Sequence, residues 1–469
     1  MPSLFRNTFY TGLSQGWQML MAIVLFKVAT TGLGERGFGQ YMLATTLMYF
    51  VLLSNDFGLN TLVTREIATR KNQGSSILGH SFGLKLILIP VSVILLFGYL
   101  FLTRYDPETK RVILIFALYG LTSSFTQLAY GVFRAHERME YEALVSITEK
   151  TISTGLCVLV IVLDFGVISF SSAFAAAGWI SLFFAFALIR KRIHPFRVLF
   201  DFKAEKRLFK NALVFGCAMF ITSVYDKVAV LMLSWMQNMA AVGFYGAAQK
   251  LVSFTSLIPT IFATAFFPRF AATSKNRNEL SRVFTIGLQF LLMIAVPLVC
   301  GVFLLADRLI FLFADPQYAA SVRAMRILAF PAGILFVNLF WASLYGASGH
   351  QRSILLIEII GLFCNVVANW LLIPRHSYIG AAWATLITES LVLCLASVWA
   401  FARIVRMTEW FFIPKILFAA GIMSLFLIRF PRFPLIPAAL MAVALYLTLL
   451  ILTRTLRLDQ LKNQLAGLR

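Results

Sequence analysis

The chain has 469 residues, 60% of them hydrophobic and 13% charged, and a mean hydropathy of +0.83, where a soluble domain carries about 25% charged residues. So much apolar surface cannot be buried inside a water-soluble globule of this length, and no hydrophilic stretch is long enough to fold separately, so the composition excludes a soluble enzyme. The formal net charge of +21 does not point to nucleic acid, because the Lys and Arg concentrate in short loops on one side of the expected membrane, as the positive-inside rule requires.

Runs of about 20 apolar residues, the length a bilayer-spanning helix needs, recur along the chain. They predict helices over 9–29, 39–59, 76–102, 112–133, 143–163 and 167–189. The first run contains Gln15, Gln18 and Lys27 and lacks a small-residue cleavage site, so it is expected to be a membrane helix and not a cleaved leader. A basic connector over 191–210 follows. With Arg190 it holds eight Lys and Arg against Asp201 and Glu205, and it is expected to be a topogenic loop touching lipid headgroups. Helices are then predicted over 211–236, 242–267, 282–305, 320–345, 353–373 and 379–401, and finally over 410–428 and 435–452.

The expected fold class is therefore all-α, a polytopic membrane protein of about fourteen transmembrane helices. Aromatic residues at helix ends, such as Phe9, Trp410 and Phe411, suit interfacial anchoring. With the N-terminus inside, roughly 26 Lys and Arg fall on the cytoplasmic side and about 10 outside, which places both termini in the cytoplasm. The five cysteines (Cys157, Cys217, Cys300, Cys364 and Cys394) lie singly in apolar segments and read as small apolar fillers.

The two halves resemble each other. Gly39-Gln40-Tyr41-Met42-Leu43-Ala44 and Gly243-Phe244-Tyr245-Gly246-Ala247-Ala248 share a G-x-Y-x-x-A skeleton, and at one offset Arg65, Ala68, Thr69 and Lys71 match Arg269, Ala272, Thr273 and Lys275. Six helices per half is an even number, so the halves are expected to be parallel repeats about an axis along the membrane normal. This predicts an N-terminal six-helix lobe (1–190), the connector (191–210), a second six-helix lobe (211–404), and two extra helices with a basic cytoplasmic tail (405–469).

Charges inside a membrane helix are costly and need a cavity or a partner. Lys27, Lys227 and Lys250 lie well inside predicted spans and are candidates for a cationic lumen, the alternative being structural pairing. Asp56 and Asp226 are candidates for ion coupling or pairing. Asp226 and Lys227 are neighbours about 100° apart on a helix, so the partner of Asp226 is expected on another helix. Lys85 is expected to snorkel towards a cytoplasmic interface, and the Glu149–Lys150 pair is uninformative. Arg323 and Arg326 share one helix face, as a lumen rim or as lipid-phosphate contacts. Asn338, Asn365 and Asn369 are expected to hydrogen-bond between helices, and Pro331 and Pro374 to bend or end them. No metalloprotease, P-loop or nucleophile-elbow pattern is present, so no catalytic residue, metal or cofactor is expected.

Leu33-Gly34-Glu35-Arg36-Gly37-Phe38-Gly39-Gln40-Tyr41, Asp56-Phe57-Gly58-Leu59, Thr64-Arg65-Glu66-Ile67-Ala68, Tyr225-Asp226-Lys227, Val242-Gly243-Phe244-Tyr245 and Asn365-Val366-Val367-Ala368-Asn369-Trp370-Leu371-Leu372-Ile373-Pro374, continued by Gly380-Ala381-Ala382-Trp383-Ala384-Thr385, follow one another in an order that resembles the oligosaccharide flippase branch of the multidrug/oligosaccharidyl-lipid/polysaccharide exporter superfamily. The resemblance implies alternating-access movement of undecaprenyl-pyrophosphate-linked glycan across a bacterial inner membrane for surface polysaccharide assembly. It implies membrane lipids and a lipid-linked oligosaccharide as partners, with polysaccharide polymerase and chain-length machinery beyond them. In that setting the Lys27, Lys227, Lys250, Arg323 and Arg326 cations would hold the pyrophosphate. Three alternatives compete. A drug/cation antiporter would need an acidic lumen, a peptidoglycan-precursor flippase would share the chemistry with another headgroup, and a glycan polymerase or ligase would need an outer loop longer than 307–318.

Overall fold

The structure, a computed structural model, describes residues 2–193 and 195–456. The side chains of residues 2–5, 214, 215, 217 and 218, Cys217 among them, and most of the expected basic tail lie outside the described residues. Among the described residues the chain is helical and holds no strand: α1 (Pro2–Asp56), α2 (Leu59–Thr69), α3 (Gly74–Leu102), α4 (Pro107–Ala135), α5 (Met139–Val162), α6 (Gly166–Arg192), α7 (Phe202–Met236), α8 (Met239–Ser253), α9 (Leu257–Thr273), α10 (Arg277–Leu304), α11 (Ala306–Phe313), α12 (Ser321–Ala347), α13 (Gln351–Arg403), α14 (Phe412–Arg429) and α15 (Leu435–Leu452). Twelve helices there are long and apolar enough to cross a membrane, and large apolar side chains such as Phe101, Val162, Phe183, Phe363 and Leu425 are exposed. Such a surface belongs in lipid, and the protein is a multi-span membrane protein.

Two of those twelve are double-length. The described part of α1 runs 51 residues and α13 runs 53, far beyond the roughly 30 Å that a bilayer core requires. Each is broken once: at Gly34 with φ 66°, and at Ser377 with φ 50°. The breaks fall inside the gaps expected at 30–38 and 374–378, but each is a one-residue turn instead of a loop. Pro374, which lacks a backbone donor, stands three residues before the second.

Three other segments depart from expectation. Phe57 (φ 42°) and Gly58 (φ 81°) interrupt the helix expected to 59, and α2 continues where a loop was predicted. The gap before 320 contains the short α11. The connector is helical from Phe202, because Asp201 caps α7 by accepting from Lys203 N at 2.9 Å while Glu205 Oε1 accepts from Asp201 N at 3.2 Å. Its extended part docks on α3 through Leu199 N to the Gly79 carbonyl (3.2 Å) and Ser75 Oγ to the Pro195 carbonyl (3.0 Å), so it is a packed segment as well as a basic one. At the start of α4, Asp106 accepts from Thr109 N and Oγ1. Burial works to raise the Asp106 pKa, but these hydrogen bonds and the Arg36 charge outweigh it and hold the carboxyl below its usual range.

The chain forms two compact units. One comprises Met1–Gly246 with Phe313–Gln317, the other Ala247–Leu312 with Tyr318–Arg469. In the first unit, Leu62, Val63, Leu84, Leu128, Val132 and Ala185 belong to one apolar core drawn from α2, α3, α4 and α6. Here the glycines heading the two repeated skeletons meet: a Cβ on Gly39 would collide with the Met239 carbonyl, and one on Gly243 with the Glu35 carbonyl. The second unit has an aromatic core in which Phe284 stacks on Trp341 at 4.5 Å. Its last two helices, α14 and α15, pack on α10, where Tyr446 Oη donates to the Met293 carbonyl at 2.9 Å. Cys157 is buried; Cys300, Cys364 and Cys394 are free thiols at partial to full exposure.

Candidate functional site

Intramembrane charge in the first unit is organised around two networks. In the first, Lys85 of α3 is fully buried and does not snorkel, contrary to expectation. Its ammonium has three donors, and all three are used: on Asp56 Oδ1 at 2.8 Å, the Ser124 carbonyl at 3.0 Å and Ser124 Oγ at 2.7 Å. Ser124 Oγ in turn donates to Asn55 Oδ1 at 3.0 Å, and Asn55 Nδ2 donates to the Lys85 carbonyl at 2.9 Å. The network ties α1, α3 and α4 together beside the Phe57–Gly58 break, where Asp56 Oδ1 also accepts from Asn60 N at 3.3 Å. The pair leaves no donor of the ammonium unmet, and it pairs the first of the two acids considered for coupling or pairing.

The second network lines a cavity of about 570 Å³ at the end of the unit where α1 and α5 begin and α4 ends. Gln15 and Gln18 of α1 and Gln127 of α4 face it, together with Tyr119, Glu149 and Lys150. Tyr119 Oη donates to Glu149 Oε1 at 2.6 Å and Ser181 Oγ donates to Glu149 Oε2 at 3.0 Å. Lys150 Nζ donates to Tyr119 Oη at 3.2 Å and lies 3.5 Å from Glu149 Oε1. The Glu149 carboxylate is buried, whereas the Lys150 side chain is one-third exposed. At the mouth, Arg134 and Glu142 form a two-pronged ion pair. The cavity therefore offers hydroxyl, carboxamide and ammonium donors to a polar ligand.

The expected site residues fall as follows. Lys27 is half exposed, 4.0 Å from Asp315. Lys227 pairs with its own neighbour Asp226 at 2.7 Å, which corrects the expectation that Asp226 needs another helix: the long, flexible lysine side chain bends round α7 to reach the exposed carboxylate. Lys250 Nζ sits 6.0 Å over the Phe254 ring. Arg323 and Arg326 are both exposed on α12. Lys27, Asp56, Asp226 and Lys227 belong to the first unit, Lys250, Arg323 and Arg326 to the second. In the second unit Asn338 Nδ2 donates to Glu389 Oε2 at 2.6 Å, and Asn365 Nδ2 to Thr388 Oγ1 at 3.1 Å. Asn369 instead bonds within its own helix, to Asn365.

Two buried polar clusters were missed from sequence. Lys85 shares one face of α3 with Ser81 and Ser92, all buried, and that polar stripe in an otherwise apolar helix was the available signal. Glu149 and Lys150, with Ser146 and Ser153 around them, carried a similar one.

Against known proteins, residues 4–274 match the model of the family described as polysaccharide biosynthesis protein. The chain belongs to that family. A second model, MatE, matches residues 216–371, which fits the exporter superfamily resembled by the sequence motifs. A putative O-antigen transporter of Escherichia coli (strain K12) is 23% identical over 414 residues, covering 84% of this chain and 95% of the relative. Among solved structures, the lipid II flippase MurJ in an inward closed conformation superposes with a TM-score of 0.78 at 14% identity, over 96% of this chain and 99% of the other. An inward-facing multidrug resistance MATE family transporter gives 0.69 at 16% identity, over 82% and 94%. These relatives are named as transporters and flippases, and the protein is not an enzyme.

Proposed function

We propose that this protein is a flippase that carries undecaprenyl-pyrophosphate-linked oligosaccharide from the cytoplasmic to the outer leaflet of a bacterial inner membrane, by alternating access, for surface polysaccharide assembly by polymerase and chain-length machinery. The family match over 4–274 carries this reading, and the putative O-antigen transporter aligned along most of both chains supports it. Counting the two broken runs as two crossings each turns the twelve candidate spans into fourteen, an even number with both termini in the cytoplasm. A charged lysine facing lipid at mid-helix would cost about 2.5–3.5 kcal/mol, so polar space is the natural setting for Lys27, Lys227 and Lys250. With Arg323 and Arg326 we assign them to the pyrophosphate, since ammonium and guanidinium groups are its matching donors.

Leaflet-resolved quantification of lipid-linked glycan in a deletion strain tests the reading. Accumulation on the cytoplasmic leaflet with loss of surface polymer is expected, and reversal on complementation. Complementation with a Lys227→Ala, Lys250→Ala double variant at normal expression is expected to restore less than a tenth of the flux; full restoration would remove these two lysines from the assignment. The MatE match over 216–371 favours a drug/cation antiporter as second reading. A normal glycan distribution with increased sensitivity to cationic drugs would select it.

A further inference from the structure

At the opposite end of α4 from the Lys150 cavity, the first unit holds another cavity, of about 660 Å³. The 29 residues of α4 separate the two ends by about 43 Å at 1.5 Å per residue. Three turns build the walls: Glu35 and Arg36 just after the Gly34 break, Arg104, Tyr105 and Asp106 between α3 and α4, and Trp235 at the end of α7.

The walls are fixed by their own hydrogen bonds. Tyr105 Oη is shared at 2.8 Å with both Ser234 Oγ and Tyr99 Oη. Asp106 is held by Thr109 Oγ1 at 2.7 Å and by Arg36 at 3.4 Å, and Asn238, also on the wall, caps α8 by accepting from Ala241 N at 2.9 Å. The indole of Trp235 remains 58% exposed.

The charges of this lining cancel, two carboxylates against two guanidiniums, whereas a phosphate site is cationic. An exposed indole beside an anchored phenol supplies flat apolar faces. The carboxylates, guanidiniums and carboxamides around them supply planar, paired acceptors and donors. A neutral ring with C–H faces and a rim of hydroxyls meets both demands, and the volume lies within the roughly 300–1,000 Å³ of small-molecule pockets. We propose that this cavity binds pyranose units of the glycan headgroup, a saccharide subsite set apart from the cationic groups assigned to the pyrophosphate. It rests on the flippase reading, under which this end of the unit faces the outside and receives the headgroup as it crosses.

The test uses the full-length protein in nanodiscs and, as probe, the oligosaccharide freed by mild acid from the lipid-linked pool of the deletion strain. Saturation-transfer NMR is expected to show binding by the unaltered protein, at least tenfold weaker binding by Trp235→Ala and by Glu35→Gln, and binding within twofold by Trp235→Phe, which keeps an aromatic face and controls for misfolding. No binding, or binding unchanged by Trp235→Ala, overturns the proposal, as does stronger competition by phosphoethanolamine than by free hexose, which would make the cavity a lipid-headgroup site. These outcomes leave the flippase reading standing. Absence of any accumulated lipid-linked pool defeats the flippase reading itself and the subsite with it.

Discussion

Removing the Lys85 ammonium leaves Asp56 as an uncompensated carboxylate in a protein-lined interior and strips Ser124 of both its contacts with the ammonium. Breaking a buried pair from one side costs about 3–5 kcal/mol, whereas replacing both partners with apolar groups of similar volume is often neutral. Lys85→Ala is therefore expected to lower the unfolding midpoint sharply, and Lys85→Met combined with Asp56→Leu to recover most of the loss. Scanning fluorimetry of the purified variants checks this: a double variant no better than the single one would show that the charges do more than lock three helices together. The same residue marks a limit of sequence reading. A lone lysine near a predicted helix end reads as snorkelling, because nothing in the sequence says that Asp56 and Ser124 stand opposite it. The partnership of Asp226 with Lys227 was misread for a different reason: helical angles describe where side chains leave the backbone, not where a long flexible one ends. By contrast the shared helix face of Arg323 and Arg326 follows from a spacing of three alone.

For the elements, the apolar runs were legible almost everywhere, because bilayer thickness imposes a length that composition reveals. What stayed hidden were helices with amphipathic or short apolar content: α2, α11 and the first turns of α7. Their formation depends on caps and on packing, such as the Asp201 cap and the docking of Leu199 on α3. The repeated G-x-Y-x-x-A skeleton was visible in the sequence, but what its glycines meet emerges only in three dimensions, where the second part of α1 and the start of α8 approach until each glycine touches the other's backbone. A side chain at either position has no rotamer that avoids the carbonyl opposite, so Gly39→Val and Gly243→Val are each expected to cost more than the usual 1–3 kcal/mol of overpacking. Gly12→Val, with open space around the position, serves as a control expected to leave stability nearly unchanged. Equal Tm values for the Gly39 and Gly12 variants would contradict the close approach.

On the scale of the molecule, two compact units each carry their own core, and the two one-residue breaks divide runs that a length criterion alone counts once. Reporter fusions after residues 56, 102, 135 and 192 are expected to give cytoplasmic or outer readouts in the order in, out, in, in, the last two alike because α5 and α6 form a complete outward hairpin. An outer readout after 192 would reverse the charge-based orientation and turn the proposed saccharide cavity towards the cytoplasm.

The Lys85–Asp56 pair also bears on how the chain enters the bilayer during synthesis. Taken singly, the segments holding Asp56 and Lys85 each carry an insertion penalty of about 2.5–3.5 kcal/mol if the charge sits at mid-helix, and the acid leaves the ribosome first. The two segments are therefore expected to insert together as one neutralised pair, and a chain ending after residue 70 is expected to place its second segment in the bilayer less completely than one extended past residue 102, as glycosylation mapping would report.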